Sequence, residues 1–116
     1  MNKTLEIGGR ELVLQSNAGT ALFYKRIFRK DLIQAITKID EEDNLEMVDR
    51  ITELCFIMAK QGEGSGIDKM LALTEKDFFE WLCSFEANAF TDADIIVKVI
   101  GIWQNSNDTT SELKNV

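Results

Sequence analysis

The residues of this 116-residue chain that could do chemistry are few and poorly matched. Asp92 and Asp94 stand two apart, and paired carboxylates can share a proton or hold a cation. No other ligand type lies near them, however, and early acids at a helix start are ordinary capping chemistry. Cys55 and Cys83 are single thiols without CxxC or Cys/His spacing, and they read as small apolar residues on predicted helices. The chain has no histidine, which removes the commonest general base and the commonest metal ligand. Gly62-Glu63-Gly64-Ser65-Gly66 is glycine-rich but lacks the lysine-hydroxyl pair of a phosphate-binding loop, and it reads as the most mobile internal loop. What remains is a cluster of cations, Lys25, Arg26, Arg29 and Lys30. These observations predict a protein that is not an enzyme and has no cofactor or metal.

The cations must be held by the stretch from Asn17 to Ile33. Projected at about 100° per residue, Ala21, Tyr24, Ile27 and Phe28 fall on one side and the four cations on the other, so the stretch predicts an amphipathic helix. Asn17 is a candidate N-cap. Asp31, with Gln34 three residues on, could cap a second helix after a tight corner. Leu32, Ile33, Ile36 and Ile39 continue an apolar face, which the acid run Asp40-Glu41-Glu42-Asp43-Asn44 interrupts.

Ahead of this stretch, Thr4 to Ile7 and Arg10 to Leu14 flank Gly8-Gly9 and predict a β-hairpin. Leu5, Ile7, Leu12 and Leu14 alternate onto one face. A two-residue turn would oppose Glu6 and Glu11, an unfavourable pair that a longer turn would avoid.

Behind it, Asn44 to Gln61 is the strongest helical pattern, with Met47, Val48, Ile51, Leu54, Cys55 and Met58 on a stripe about 120° wide. Phe56 and Ile57 lie off the stripe, so this helix should be contacted on a second side, either within the domain or at an oligomer interface. Gly62 is a candidate C′ residue. Ile67, Met70 and Leu71 predict a short helix. Thr74 to Asp77 opens another, with Phe78, Trp81, Leu82 and Phe85 on one face. Thr91 to Asp94 starts the last, with Ile95, Ile96, Val99, Ile100, Ile102 and Trp103 inward. From Asn105 to Val116 periodicity stops, which predicts a flexible tail.

The whole is an α+β fold, mostly helical, with an N-terminal hairpin packed on a bundle of about five helices. One domain over residues 1–104 is expected, with the hairpin in 1–15 and the helices in 17–104. The net charge of −7 is unevenly placed, with residues 1–39 at +4 and residues 40–116 at −11. An acidic majority argues against nucleic-acid or anionic-membrane binding. The longest apolar run, Leu54 to Ala59, cannot span a membrane, and no signal peptide is evident, so the cytoplasm is the expected location.

Several segments together carry a resemblance. Asn17-Ala18-Gly19-Thr20, Phe23-Tyr24-Lys25-Arg26-Ile27-Phe28 and Lys30-Asp31-Leu32 are followed by Ile57-Met58-Ala59-Lys60-Gln61. Phe78-Phe79-Glu80-Trp81-Leu82 and Ser84-Phe85-Glu86 come after. In this order and spacing the chain, from about residue 5 to 104, resembles the tail assembly chaperones of long-tailed phages and prophages. Two positions depart from that family, Ala21 where proline is frequent and Arg29 where glycine often precedes Lys-Asp, and the second implies a less sharply turned corner.

The resemblance implies a chaperone of viral morphogenesis in the host cytoplasm. Such a factor binds the tape measure protein, helps recruit the tail-tube protein and is not retained in the virion; many assembly factors act as oligomers, so a homo-oligomer is expected. It also implies a longer form made by ribosomal frameshifting, and Leu113-Lys114-Asn115 is compatible with a slippery codon run. Candidate partner-binding residues are Leu22, Lys25, Arg26, Arg29, Lys30 and Phe56. The alternatives are a structural head or tail component and a small helical nucleic-acid-binding regulator.

Overall fold

The computed structural model describes residues 2–34 and 44–114, with side chains from 2–34 and 47–104. The expected apolar positions Ile36 and Ile39 and the acid run Asp40–Asp43 lie outside the described residues. Strands β1 (Asn2–Ile7) and β2 (Arg10–Gln15) pair antiparallel across Gly8-Gly9. Both glycines have positive φ, 58° and 78°, as the primed two-residue turn requires. The register therefore opposes Glu6 and Glu11. Both carboxylates are exposed, where water screens the repulsion that a longer turn would have avoided. Leu5, Ile7 and Leu14 are buried and Leu12 is partly so, which places the expected face inward.

Helix α1 (Thr20–Phe28) begins after Gly19, and the side chain of Asn17 does not cap it. Asn17 Oδ1 instead accepts from the Gly19 N–H at 2.9 Å and from Gln61 Nε2 at 3.0 Å. Thr20 Oγ1 accepts from the Asn17 N–H at 3.0 Å and donates to Gln61 Oε1 at 2.7 Å. Asn17 thus shapes the turn before the helix and ties it to Gln61. At the other end Arg29 adopts the left-handed conformation, φ 60° and ψ 32°, with its N–H on the Lys25 carbonyl. An arginine takes the geometry that glycine adopts without steric cost, and the chain bends at Arg29 and Lys30. Asp31 then accepts from the Gln34 N–H at 3.1 Å and starts a new helical turn at Leu32, as its spacing predicts.

Helix α2 (Asn44–Gly62) is the centre of the molecule. Every residue from Ile51 to Ala59 is buried, including Thr52 and Glu53, so the second contacted side predicted from Phe56 and Ile57 lies within the domain. Gly62 is the last helical residue, not the C′ residue. A Cβ there would collide with the Val13 carbonyl oxygen, so β2 and α2 approach to backbone contact. The positive φ after the helix belongs to Gly64, at 80°.

Helix α3 (Ile67–Ala72) is short, and α4 (Glu75–Leu82) opens with a full capping box between Thr74 and Asp77. Helix α4 stops at Leu82, before Phe85. Ser84 Oγ bonds the Trp81 carbonyl at 2.6 Å, one of the local side-chain bonds that compete with helix continuation. Phe85 still joins the core, 4.8 Å from the Trp81 ring and 5.2 Å from Phe90. Arg10 clamps the hairpin to this turn, donating to Ser84 Oγ at 2.7 Å with its guanidinium 4.0 Å over the Phe85 ring.

Helix α5 (Ala93–Lys114) starts with Asp92 accepting from the Asp94 N–H at 2.9 Å, so the acid pair caps as expected. Ile95, Ile96, Val99, Ile102 and Trp103 are buried. The backbone stays helical to Lys114 across the region predicted as a tail, because an established helix propagates without an apolar stripe. Strand β2 and helices α1, α4 and α5 all pack on α2.

Candidate partner-binding groove

Helix α1 is oriented by two polar ties to α2. The first is the Asn17, Thr20 and Gln61 node already described. The second lies two turns of chain away on α2, where the Tyr24 hydroxyl donates to Glu53 Oε1 at 2.6 Å. Arg50 Nε donates to the same oxygen at 2.8 Å, and Lys30 Nζ lies 3.6 Å from Glu53 Oε2. The buried carboxylate is therefore paired and hydrogen-bonded, the condition under which a charge is tolerated inside a protein. Burial, and then the Glu53 carboxylate, raise the ionisation of the Tyr24 hydroxyl far above its ordinary range. Tyr24 stays a neutral donor.

These ties, with Ile27 and Phe28 in the core, fix which side of α1 faces out. Leu22 is 65% exposed, and Lys25, Arg26 and Arg29 are exposed beside it. Only Met70 of α3 is buried, because six residues give fewer than two turns to turn inward. Leu71 is left 48% exposed and Ile67 70% exposed. Helices α1 and α3 lie side by side, and between them runs a groove of about 670 Å³. Leu22, Phe23 and Leu71 supply its apolar lining, with Lys25, Arg26 and Arg29 around them. A smaller hollow of about 250 Å³ shares Gly19 and Phe23 with it and adds Ile67 and Met70.

Of the residues predicted to bind a partner, the fold brings Leu22, Lys25, Arg26 and Arg29 together. Lys30 turns away to Glu53. Phe56 is fully buried, 5.4 Å from both Phe78 and Trp81, so it is a core residue and not a contact surface. Its off-stripe position reflects a helix surrounded by its own domain. Sequence reading missed Phe23 and Leu71 as groove residues. The available signal was the length of α3, too short to bury Ile67, Met70 and Leu71 together.

Elsewhere the chemistry stays sparse. Cys55 is buried and its thiol is pushed up to about 12 by desolvation, so it is an inert packing group. Cys83 is exposed beside Phe79 in a groove of about 540 Å³ that also includes Asp49, Arg50 and Glu86. Among the described residues, no three His, Cys, Asp or Glu side chains converge, and no helix is long and apolar enough to cross a membrane. Comparison with protein-family models, with curated proteins and with solved structures found no match to this chain.

Proposed function

We propose that the chain is an assembly chaperone of phage tail morphogenesis. It would hold the tape measure protein soluble in the bacterial cytoplasm while tail-tube subunits are recruited. The observation that carries this reading is the α1–α3 groove, an exposed apolar channel with three cations on an otherwise acidic molecule. A tape measure protein is a long helix that offers apolar stripes before the tube closes round it. A small helical protein can cover such a stripe by the helix-in-groove mode, while surplus charge keeps the complex dissolved. The order of the segments described under the sequence supports the same reading.

Co-expression with a tape measure protein of a long-tailed phage tests it. The expected result is a soluble long protein that co-purifies with the chain and is insoluble without it. Mass spectrometry of purified particles provides the second arm. A stoichiometric amount of this chain in finished virions would favour a structural tail component instead.

A further inference from the structure

We infer that the α1–α3 groove is selective for an amphipathic helix whose apolar stripe is flanked by carboxylates. The inference deepens the proposed function and rests on its reading of the groove as the client site. Its basis is charge complementarity within a small area. Lys25, Arg26 and Arg29 line the same channel as Leu22, Phe23 and Leu71, and none of the three cations has an ion-pair partner among the described residues. Lys30, by contrast, is committed to Glu53.

Three cations beside an apolar channel repel a basic partner and attract an acidic one, and desolvation on docking strengthens both effects. Helix α1 has nine residues, about 13 Å of axis at ~1.5 Å per residue. The groove therefore reads two to three turns of the client. Apolar side chains at i and i+3 or i+4 would rest on Leu22, Phe23 and Leu71. A carboxylate one position to the side would meet Arg26 or Arg29. A nucleic acid offers the phosphates but not the apolar stripe, and leaves Leu22 and Leu71 without a role.

The test uses the full chain and two labelled peptides of about 18 residues, roughly five turns. They share one leucine stripe, flanked by glutamates in the first and by lysines in the second. Fluorescence anisotropy is expected to show the glutamate peptide binding at least about tenfold tighter. Its affinity should fall as salt rises from about 0.05 to about 0.5 M. Leu22→Glu and Arg26→Glu should each weaken it by about tenfold or more, with helical circular dichroism unchanged because both sites are exposed.

Equal or tighter binding of the lysine peptide would overturn the inference. So would a Leu22→Glu variant that binds as well as the parent, or a DNA duplex that displaces the glutamate peptide from both parent and Leu22→Glu protein. Self-association that is lost in Leu22→Glu, without peptide binding, would assign the groove to a second copy and also overturn it. Failure here is separable from failure of the chaperone reading. A tape measure protein that stays soluble in co-expression while the peptides do not discriminate removes the charge selectivity alone. Peptide discrimination without any effect on the long protein leaves the groove chemistry and removes the chaperone.

Discussion

Two apolar regions meet on α1, and they have opposite fates. On one side Phe28 enters a closed aromatic cluster, 5.1 Å from Phe78 and 6.4 Å from Phe56, which continues through Trp81 to Phe85 and Phe90. On the other, Leu22 and Phe23 open onto the groove shared with Leu71. The residue types are alike. The difference is what stands opposite. The cluster faces the stretch Ile51–Ala59 of α2, in which every residue is buried, whereas the groove faces a helix too short to close over it. Shape, more than composition, separates a core from an open groove here.

The sharpest way to break the closed side is Phe56→Ala. Removing a fully buried ring should cost about 3–5 kcal/mol, read as a lower urea midpoint, and should abolish cooperative unfolding if the domain has less than that in reserve. The same change leaves no groove residue altered. Next comes Gly62→Ala, which places a methyl against the Val13 carbonyl. Neither backbone can yield cheaply, so a loss of about 2–3 kcal/mol is expected, with the hairpin amides losing hydrogen-exchange protection first.

The closed side also predicts an alkaline limit. The Cys55 thiol rises from its ordinary 9.0 to about 12 in the fold. Between those values the unfolded chain releases a proton that the folded chain keeps. The stability is therefore complete below pH 9 and is lost as pH rises toward 12, by at most about 1.4 kcal/mol per pH unit from this group. Thermal unfolding from pH 8 to 11 should show the decline, and Cys55→Ala should remove the part that begins near pH 9 while leaving the part that buried Tyr24 adds above pH 10. A thiol reagent at neutral pH should modify Cys83 alone until the protein is denatured.

The smallest expected effect lies at the junction of the two regions. Arg29→Gly relieves a left-handed arginine and should raise stability by about 0.5–1 kcal/mol. It also removes one groove cation. A variant that melts later yet holds an acidic helix less tightly would show that the corner gives up stability in exchange for charge.

Much of this architecture was legible from side-chain pattern. The hairpin, the central helix, the Thr74–Asp77 cap and the inward face of α5 follow from alternation, helical spacing and capping residues. Boundaries and partners were less accessible because they depend on long-range contact. Asn17 looks like a cap until Gln61, remote in sequence, claims its oxygen. Gly62 looks like a C′ glycine, but it ends the helix itself, and β2 laid against it is what leaves no room for a side chain. Phe56 looks like a surface residue because a helix buried all round has no outward stripe to compare. For the groove, the cations could be read from the sequence, but the opposing wall at Leu71 appears only once α3 lies beside α1.

The bond from Tyr24 to Glu53 has a practical consequence. Tyr24 is the only tyrosine in the chain, and its hydroxyl resists ionisation as long as α1 stays seated on α2. Tyrosinate absorbs at longer wavelength than tyrosine, so any such signal in moderately alkaline solution reports a single event, the parting of those two helices. The protein thus carries an optical gauge of its own seam, and an occupant that tightens the groove wall would be visible as a delayed appearance of that band.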